Sequence, residues 1–360
     1  MRWLLGLLLG LASFGPVQAD DSIRVFFGPK AADDPQGLLP NLLKFLDTAK
    51  TTIHGSVHEV DMILVAEKLT ERAAAGVEVH VVIEGDWWDS PKNKAARRVL
   101  ERSKVKVTPD TKKSGLMHNK FLIADEKRVW TGSTNLTETC LLYNPNNGVW
   151  VESDKIAANF EAEFAEEAAG KFGKKGSDKS KTPYPVVQLD SDTTITTLFS
   201  PEDATLKAVV HVIENAKDTL DIACFVFSSQ EIGEAVLAAH KRGVKVRVLL
   251  DNVFSSPGAT AKWKYIPFNE LKKAGVACKY DDEASKLHHK IVIADRKVVV
   301  TGSFNLSVGA ATDNDENMLI VESTAIGKQY TAEFERLWKQ YNGDPGDLPP
   351  PEKGDDDAKP

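Results

Sequence analysis

His118-Asn119-Lys120-Phe121-Leu122-Ile123-Ala124-Asp125, followed by Gly132-Ser133-Thr134-Asn135, is answered downstream by a second stretch: His288-His289-Lys290-Ile291-Val292-Ile293-Ala294-Asp295 and Gly302-Ser303-Phe304-Asn305. Every member recurs 170 positions later without a gap, and Val151-Glu152-Ser153 continues the match as Val321-Glu322-Ser323. A single His-x-Lys is common by chance. Two copies that share an Asp and a Gly-Ser-x-Asn at one offset point to a duplicated half-site. In an extended strand, residues two apart face the same side. His118 therefore projects with Lys120, and His288 with Lys290. Asn119 and His289 point the other way, which makes His289 a poor catalytic candidate.

Working outward, a second matched block lies upstream at an offset of 167. Ala49-Lys50-Thr51-Thr52-Ile53 answers to Ala216-Lys217-Asp218-Thr219-Leu220, and Gly76-Val77-Glu78-Val79 to Gly243-Val244-Lys245-Val246. Each block reads as helix, strand, helix, strand. The segments from Val77 to Ile83 and from Val244 to Leu250 are β-branched and follow a glycine suited to capping a helix. Strands alternating with helices predict α/β lobes, each a sheet covered by helices on both faces. Two lobes fit the length: residues 20–170 and 186–341, joined by a lysine-rich surface linker over 171–185. Residues 342–360, with prolines and a run of aspartates, read as a disordered acidic tail.

The N-terminus reads differently. Arg2, an apolar run from Trp3 to Phe14 and Val17-Gln18-Ala19 resemble a secretory signal over residues 1–19, cut near Ala19. An exported protein, periplasmic or secreted, is expected, with an uncleaved anchor as the alternative. The net charge of −7 counts mildly against a tight nonspecific nucleic-acid binder, without excluding a locally basic cleft. Cys140, Cys224 and Cys278 form no close pair, so no zinc site is expected. One disulfide remains open, although Cys224 and Cys278 sit in apolar runs that suit core residues.

The motif residues suit one anion. Lys120 and Lys290, the hydroxyls of Ser133 and Ser303, and the amides of Asn135 and Asn305 offer a doubled set of donors for a phosphate. The glycine before each serine permits close backbone approach, so the anion is expected against that turn. Two histidines from opposite sides can divide the work, one attacking phosphorus and the other protonating the leaving oxygen. The lysines would repel a cation, so neither a metal nor another cofactor is expected.

This doubled pattern resembles the phospholipase D superfamily, whose signature is His-x-Lys, four residues, Asp, six residues, Gly-Ser-x-Asn. Both copies match that spacing, and the resemblance covers nearly the whole mature chain. It implies two pseudo-twofold-related α/β/α lobes with one active site between them, and metal-independent phosphodiester chemistry through a phosphohistidine. By position, His118 resembles the nucleophile, and His288 the general acid that later activates water or an alcohol. Lys120, Lys290, Asn135 and Asn305 would hold the phosphate, and Ser133 and Ser303 would support the phosphate or the histidines. Asp125 and Asp295 complete the catalytic signature, although the resemblance implies a structural more than a chemical role for them, as hydrogen-bonders at a turn or strand end. Many members carry an acidic residue past the Gly-Ser that orients a histidine. Glu316 fits that place, whereas its counterpart in the first copy is Asn146. Which histidine Glu316 touches is open at this point.

The substrate reading divides. The expected function is hydrolysis or transfer of a phospholipid headgroup, with transient membrane-surface contact and no stable protein partner. The alternative is an exported endonuclease cutting DNA or RNA. Phe225-Val226-Phe227-Ser228 and the segment from Ala310 to Asn317 resemble small one-repeat nucleases of the superfamily. Trp87 and Trp88 would suit a lipid interface, or else pack inside a lobe. Trp263 and Tyr265 alternate with lysines, a pattern that fits stacked bases or a lipid headgroup. His58 and Glu59 are expected to approach the site, with ordinary core or surface roles as the alternative. A binding module with a dead duplicated site is the third reading, opposed by the completeness of both motifs.

Overall fold

Local signals place the elements. Gly76 and Gly243 adopt φ of +94° and +93° and close the helices Ile63–Ala74 and Gln230–Lys241, turning the chain into the next strand. Asp125-Glu126 and Asp295-Arg296 all have φ between +53° and +56°, the geometry of a two-residue hairpin turn. The computed structural model describes residues 22–111, 115–176, 182–253, 265–282 and 285–342. The expected cleavage point at Ala19, the tail beyond Asn342 and Trp263 lie outside the described residues.

The first half contributes strands β1 (Ile23–Phe27), β2 (Thr52–Val57), β3 (Glu78–Ile83), β4 (Lys106–Pro109), β5 (Lys120–Ala124), β6 (Arg128–Gly132) and β7 (Asn147–Glu152). The second contributes β8 (Val186–Gln188), β9 (Thr194–Ser200), β10 (Thr219–Cys224), β11 (Lys245–Leu250), β12 (Ala277–Tyr280), β13 (Lys290–Ala294), β14 (Val298–Gly302) and β15 (Glu316–Glu322). They form a seven-stranded sheet ordered β1-β7-β6-β5-β2-β3-β4 and an eight-stranded sheet ordered β12-β11-β10-β13-β14-β15-β9-β8. Apart from β8, the second order is the first read from its other end. Both sheets are mixed: β2 runs parallel to β3 and antiparallel to β5, as β10 does with β11 and β13.

Apolar burial explains the layering. One outer core packs the first sheet against its flanking helices through Leu42, Phe45, Leu69, Trp130 and Trp150. A second does so in the other half through Val209, Ile232, Phe268 and Tyr280. The third core belongs to both halves: Phe121, Ile123 and Phe160 share it with Ile195, Ile291, Ile293, Tyr330 and Phe334. The helices Asp154–Ala168 and Thr324–Gln340 lie in this shared layer. Each covers the sheet of its own half and reaches a strand of the other, β9 and β1 respectively. Each opens on a serine, Ser153 or Ser323, whose side chain accepts from an N–H three residues on.

The connecting segment is not merely a surface linker. Phe172 is buried in the shared core, and Gly173 N donates to the Asp315 carboxylate at 2.5 Å. Tyr184 exchanges two 2.8 Å hydrogen bonds with Asn159. Among the described residues no helix is long and apolar enough to cross a membrane.

Candidate active site

The motif lysines open β5 and β13, and the histidines stand two residues earlier, where each strand enters from a loop. Those loops cross between the halves. His118 N donates to Asp315 O and His288 N to Pro145 O, at 2.9 and 3.0 Å. Leu116 N and Lys286 N reach the side-chain oxygens of Asn314 and Asn144. The residues just before β15 therefore clamp the first histidine strand, and those just before β7 clamp the second.

This crossing decides the histidine partners. His118 Nδ1 donates to Glu316 Oε2 at 2.7 Å, and His288 Nδ1 donates to Asn146 Oδ1 at 2.9 Å. Each histidine is held by the opposite half. With Nδ1 engaged, Nε2 is the nitrogen left for chemistry. The serines stand one step behind, the Ser303 hydroxyl donating to Glu316 Oε2 at 2.6 Å and Ser133 facing Asn146 Oδ1 at 2.9 Å. They thus support the histidines through their partners.

Both histidines and both lysines are buried, 1–3% exposed, so their charges act at low dielectric. Lys120 Nζ donates to His118 O, and Lys290 Nζ to His288 O. Burial, with the Lys120 ammonium as the second cause, brings Lys290 down to about 7. The same burial pushes the Glu316 carboxyl up to about 7, opposed by Lys120, Ser303, Asn314 and Lys290. The two lysines and Glu316 thus influence one another's charge. Two ammonium groups crowded together are relieved when an anion binds.

The amides differ. Asn135 and Asn305 both have a buried side-chain oxygen without a partner, but Asn135 Nδ2 donates to Glu59 Oε2 at 2.9 Å. A small space beside the site is lined by His58, Lys120, Thr134 and Asn135, whereas a cavity of about 630 Å³ beside Phe27, Lys30 and Arg336 lies away from the histidines. Among the described residues no group of three His, Cys, Asp or Glu side chains could hold a metal ion.

Several expectations need correction. Asp125 and Asp295 stand in turns beyond the far ends of β5 and β13, seven residues and up to roughly 23 Å from the histidines at about 3.3 Å per extended residue, which bears out their structural reading and removes them from the catalytic set. Asp125 accepts from the backbone N–H groups of Lys50, Thr51 and Thr52, and Asp295 from those of Lys217, Asp218 and Thr219. Gly132 and Gly302, at φ of +134° and +142°, make room for a neighbouring strand. A Cβ at either would collide with the carbonyl oxygen of Asn147 or Asn317. Trp88 is buried in the first outer core, and Trp87 is partly buried in the same short helix, so they do not form an exposed pair. Cys140, Cys224 and Cys278 are all free thiols.

His289 does point away from the site, toward Asn147 and Glu333. His58 and Glu59 do approach it. Other residues went unnoticed in the sequence. Asn317 accepts from Lys120 N and donates to Thr131, while Asn147 donates to Thr301 and Tyr330, so each asparagine ties one half to the other. Glu84 and Asp251 accept from Met117 N and Leu287 N, just before the histidines. Both pairs recur at the two offsets of the repeat and could have been found there. Cys140 Sγ lies 3.9 Å from His288 Nδ1, where the repeat carries Ala310, and nothing in the sequence pointed to it.

Fold and site together define a duplicated α/β protein with one composite His/Lys site for an anion. A family model described as the cardiolipin synthase, phospholipase D-like domain matches residues 42–168 and 209–338. The chain belongs to this phospholipase D-like family. It is 38% identical over 141 residues to a mitochondrial cardiolipin hydrolase of Xenopus laevis, covering 39% of this chain and 64% of that protein. The chain thus spans just under two thirds of that relative. A phospholipase D of Rickettsia prowazekii (strain Madrid E) is 33% identical over 147 residues, 41% of this chain and 68% of its own. The crystal structure of phosphatidylserine synthase from Haemophilus influenzae Rd KW20 shares the fold, with TM-score 0.66 and 13% identity over 91% of this chain and 89% of that one.

Proposed function

We propose that this chain is a metal-independent phosphodiesterase of phospholipase D type, acting on the headgroup phosphodiester of phospholipids through a phosphohistidine at His118. The observation that carries it is the crossed support of the histidines, Glu316 on His118 and Asn146 on His288. A carboxylate on Nδ1 stabilises positive charge on His118, which suits the residue that becomes phosphorylated. A neutral amide oxygen orients His288 without neutralising its proton, which suits a general acid. In the first step His118 Nε2 forms a bond to phosphorus, the ester P–O bond breaks, and the departing alkoxide takes the His288 proton. Water then gives a proton to His288 and attacks phosphorus, the N–P bond breaks, and His118 is regenerated. Lys120, Lys290 and Asn305 hold the non-bridging oxygens and offset their charge as the transition state forms.

A phospholipid substrate is supported by the relatives named cardiolipin hydrolase and phospholipase D. Action outside the cytoplasm, after cleavage near Ala19, rests on the N-terminal sequence alone. The test offers purified protein, in EDTA, mixed phospholipid vesicles and single- and double-stranded DNA. Chelator-resistant headgroup release that falls about a thousandfold or more in both His118→Ala and His288→Ala is the expected result. DNA cleavage with the lipids left intact would replace this reading with the nuclease.

A further inference from the structure

The pseudo-twofold relates two recesses in the shared layer, one against each of its long helices. Ala162, Glu163 and Glu166 of the helix Asp154–Ala168 line the first, together with Phe199 of β9 and Glu202 just after it. Ala332, Glu333 and Arg336 of the helix Thr324–Gln340 line the second, together with Phe27 of β1 and Lys30 just after it. The helix residues correspond at the offset of 170. Phe27 pairs with Asn147 as Phe199 pairs with Asn317, so the strand residues correspond too.

These equivalent places differ in room and in charge. The first keeps only about 20 Å³, room for a single water, and Thr182 of the connecting segment lines it. The second stays open at about 630 Å³, within the range of small-ligand sites. Glu166 and Glu202 stand where the open cavity has Arg336 and Lys30. Glu163 and Glu333 are common to both, and the Glu333 carboxylate lies 2.7 Å from Arg336 and 3.5 Å from His289. The other walls of the open cavity are mostly apolar, with Val25, Phe27, Pro29 and Pro35 among them. Folding requires neither the room nor the two cations, because the other half folds with its recess filled and acidic. An apolar cavity with cations at its rim suits a molecule that joins an apolar chain to an anionic head. The cavity also lies apart from the catalytic centre. His289 points to its wall, toward Phe27 and Glu333, on the side of the strand opposite to His288.

We propose that this cavity is a second binding site for a single-chain amphiphile with an anionic head, of the fatty-acid type. The head meets the rim at Lys30 and Arg336, and the chain lies along Phe27, Pro29 and Pro35. This binding does not depend on the reaction assigned to the histidines.

Octanoate tests it by titration calorimetry on the full chain, with acetate as a head without a chain and octanamide as a chain without a charge. Octanoate is expected to bind about tenfold or more tightly than either control. Lys30→Glu, which installs the residue of the other half, should weaken octanoate about tenfold or more. Ala332→Trp fills the cavity from an exposed helix position without changing charge, and should abolish binding. Lys120→Ala should leave binding within about twofold, because that lysine belongs to the catalytic centre. Binding lost in Lys120→Ala and kept in both cavity variants would place octanoate among the catalytic lysines and overturn the proposal. Octanoate that binds no better than acetate or octanamide, or not at all up to about 10 mM, overturns it as well. So does binding that appears only once residues 343–360 are removed, which would give the cavity to that segment of the chain.

Discussion

Glu316 and Asn146 occupy equivalent places in the repeat, yet they present the two histidines with different partners, a carboxyl group and an amide oxygen. Replacing Glu316 by Gln keeps a hydrogen-bond acceptor but removes the charge that favours a positive His118. Turnover in Glu316→Gln is expected to fall by about a hundredfold or more, against less than about tenfold in Asn146→Ala. Equal losses in a steady-state assay would remove the distinction. Glu316 and Lys290 set the pH profile. Glu316 works as a carboxylate, and its pKa is raised to about 7, so activity falls as pH drops through that value. Lys290 works as an ammonium, and its pKa is lowered to about 7, so anion binding weakens as pH rises through it. A narrow bell in kcat/KM near neutral pH follows, with the acid limb displaced to lower pH in Glu316→Gln. A flat profile between about pH 5 and 9 would refute it.

At the scale of elements, the signature aspartates act on the hairpins β5–β6 and β13–β14. Asp125 takes a left-handed turn position and gathers three backbone N–H groups from the start of β2, which binds the hairpin to its neighbouring strand. Those bonds bring its carboxyl down to about 2 in spite of the desolvation that opposes them. The folded pKa lies below the unfolded one, so this contribution is present above pH about 4 and is lost as pH falls through about 2. It amounts to about 2 kcal/mol. Asp125→Asn, which tolerates the same turn, should lower unfolding stability by about that amount in chemical denaturation while kcat changes less than about threefold. A large loss of kcat in the folded variant would return Asp125 to the chemistry. These turns were legible in the sequence because a hairpin and its Asp depend on residues a few positions apart. Their distance from the histidines was legible too, given strand geometry, although the signature grouped them together.

In the whole molecule, the two halves share a core and exchange their polar supports. Asn317 illustrates the dependence: its oxygen accepts from Lys120 N and its amide donates to Thr131, both in the other half and both buried. Asn317→Ala removes the acceptor of Lys120 N and the donor to Thr131 Oγ1 in a dry interface, while Thr131 still donates to Lys120 O. It is expected to cost roughly 2–4 kcal/mol in denaturant unfolding and to lower kcat, because Lys120 shifts with its strand. A stability change below about 0.5 kcal/mol would show that the interface holds without it. The bond from His118 to Glu316 spans 198 residues of chain, and the bond from His288 to Asn146 spans 142. No periodicity or turn signal reports separations of that size. The repeat revealed that Glu316 and Asn146 were equivalent and different. It did not reveal that each would serve the histidine of the opposite half.

By itself the sequence determined the duplication, the helix-strand-helix-strand block of each half, the glycine caps, the family resemblance and the side of the strand on which His118, Lys120, His288 and Lys290 stand. All of these follow from short-range geometry: strand alternation, helix capping and the left-handed conformations that glycine and aspartate accept. The tertiary structure decided the rest. It assigned Glu316 to His118 and Asn146 to His288, removed Asp125 and Asp295 from the catalytic set, and buried Trp88 in a core. Those outcomes depend on which faces of the two sheets meet and which loops cross between them, and burial of the shared apolar layer fixes that packing only once both halves are folded.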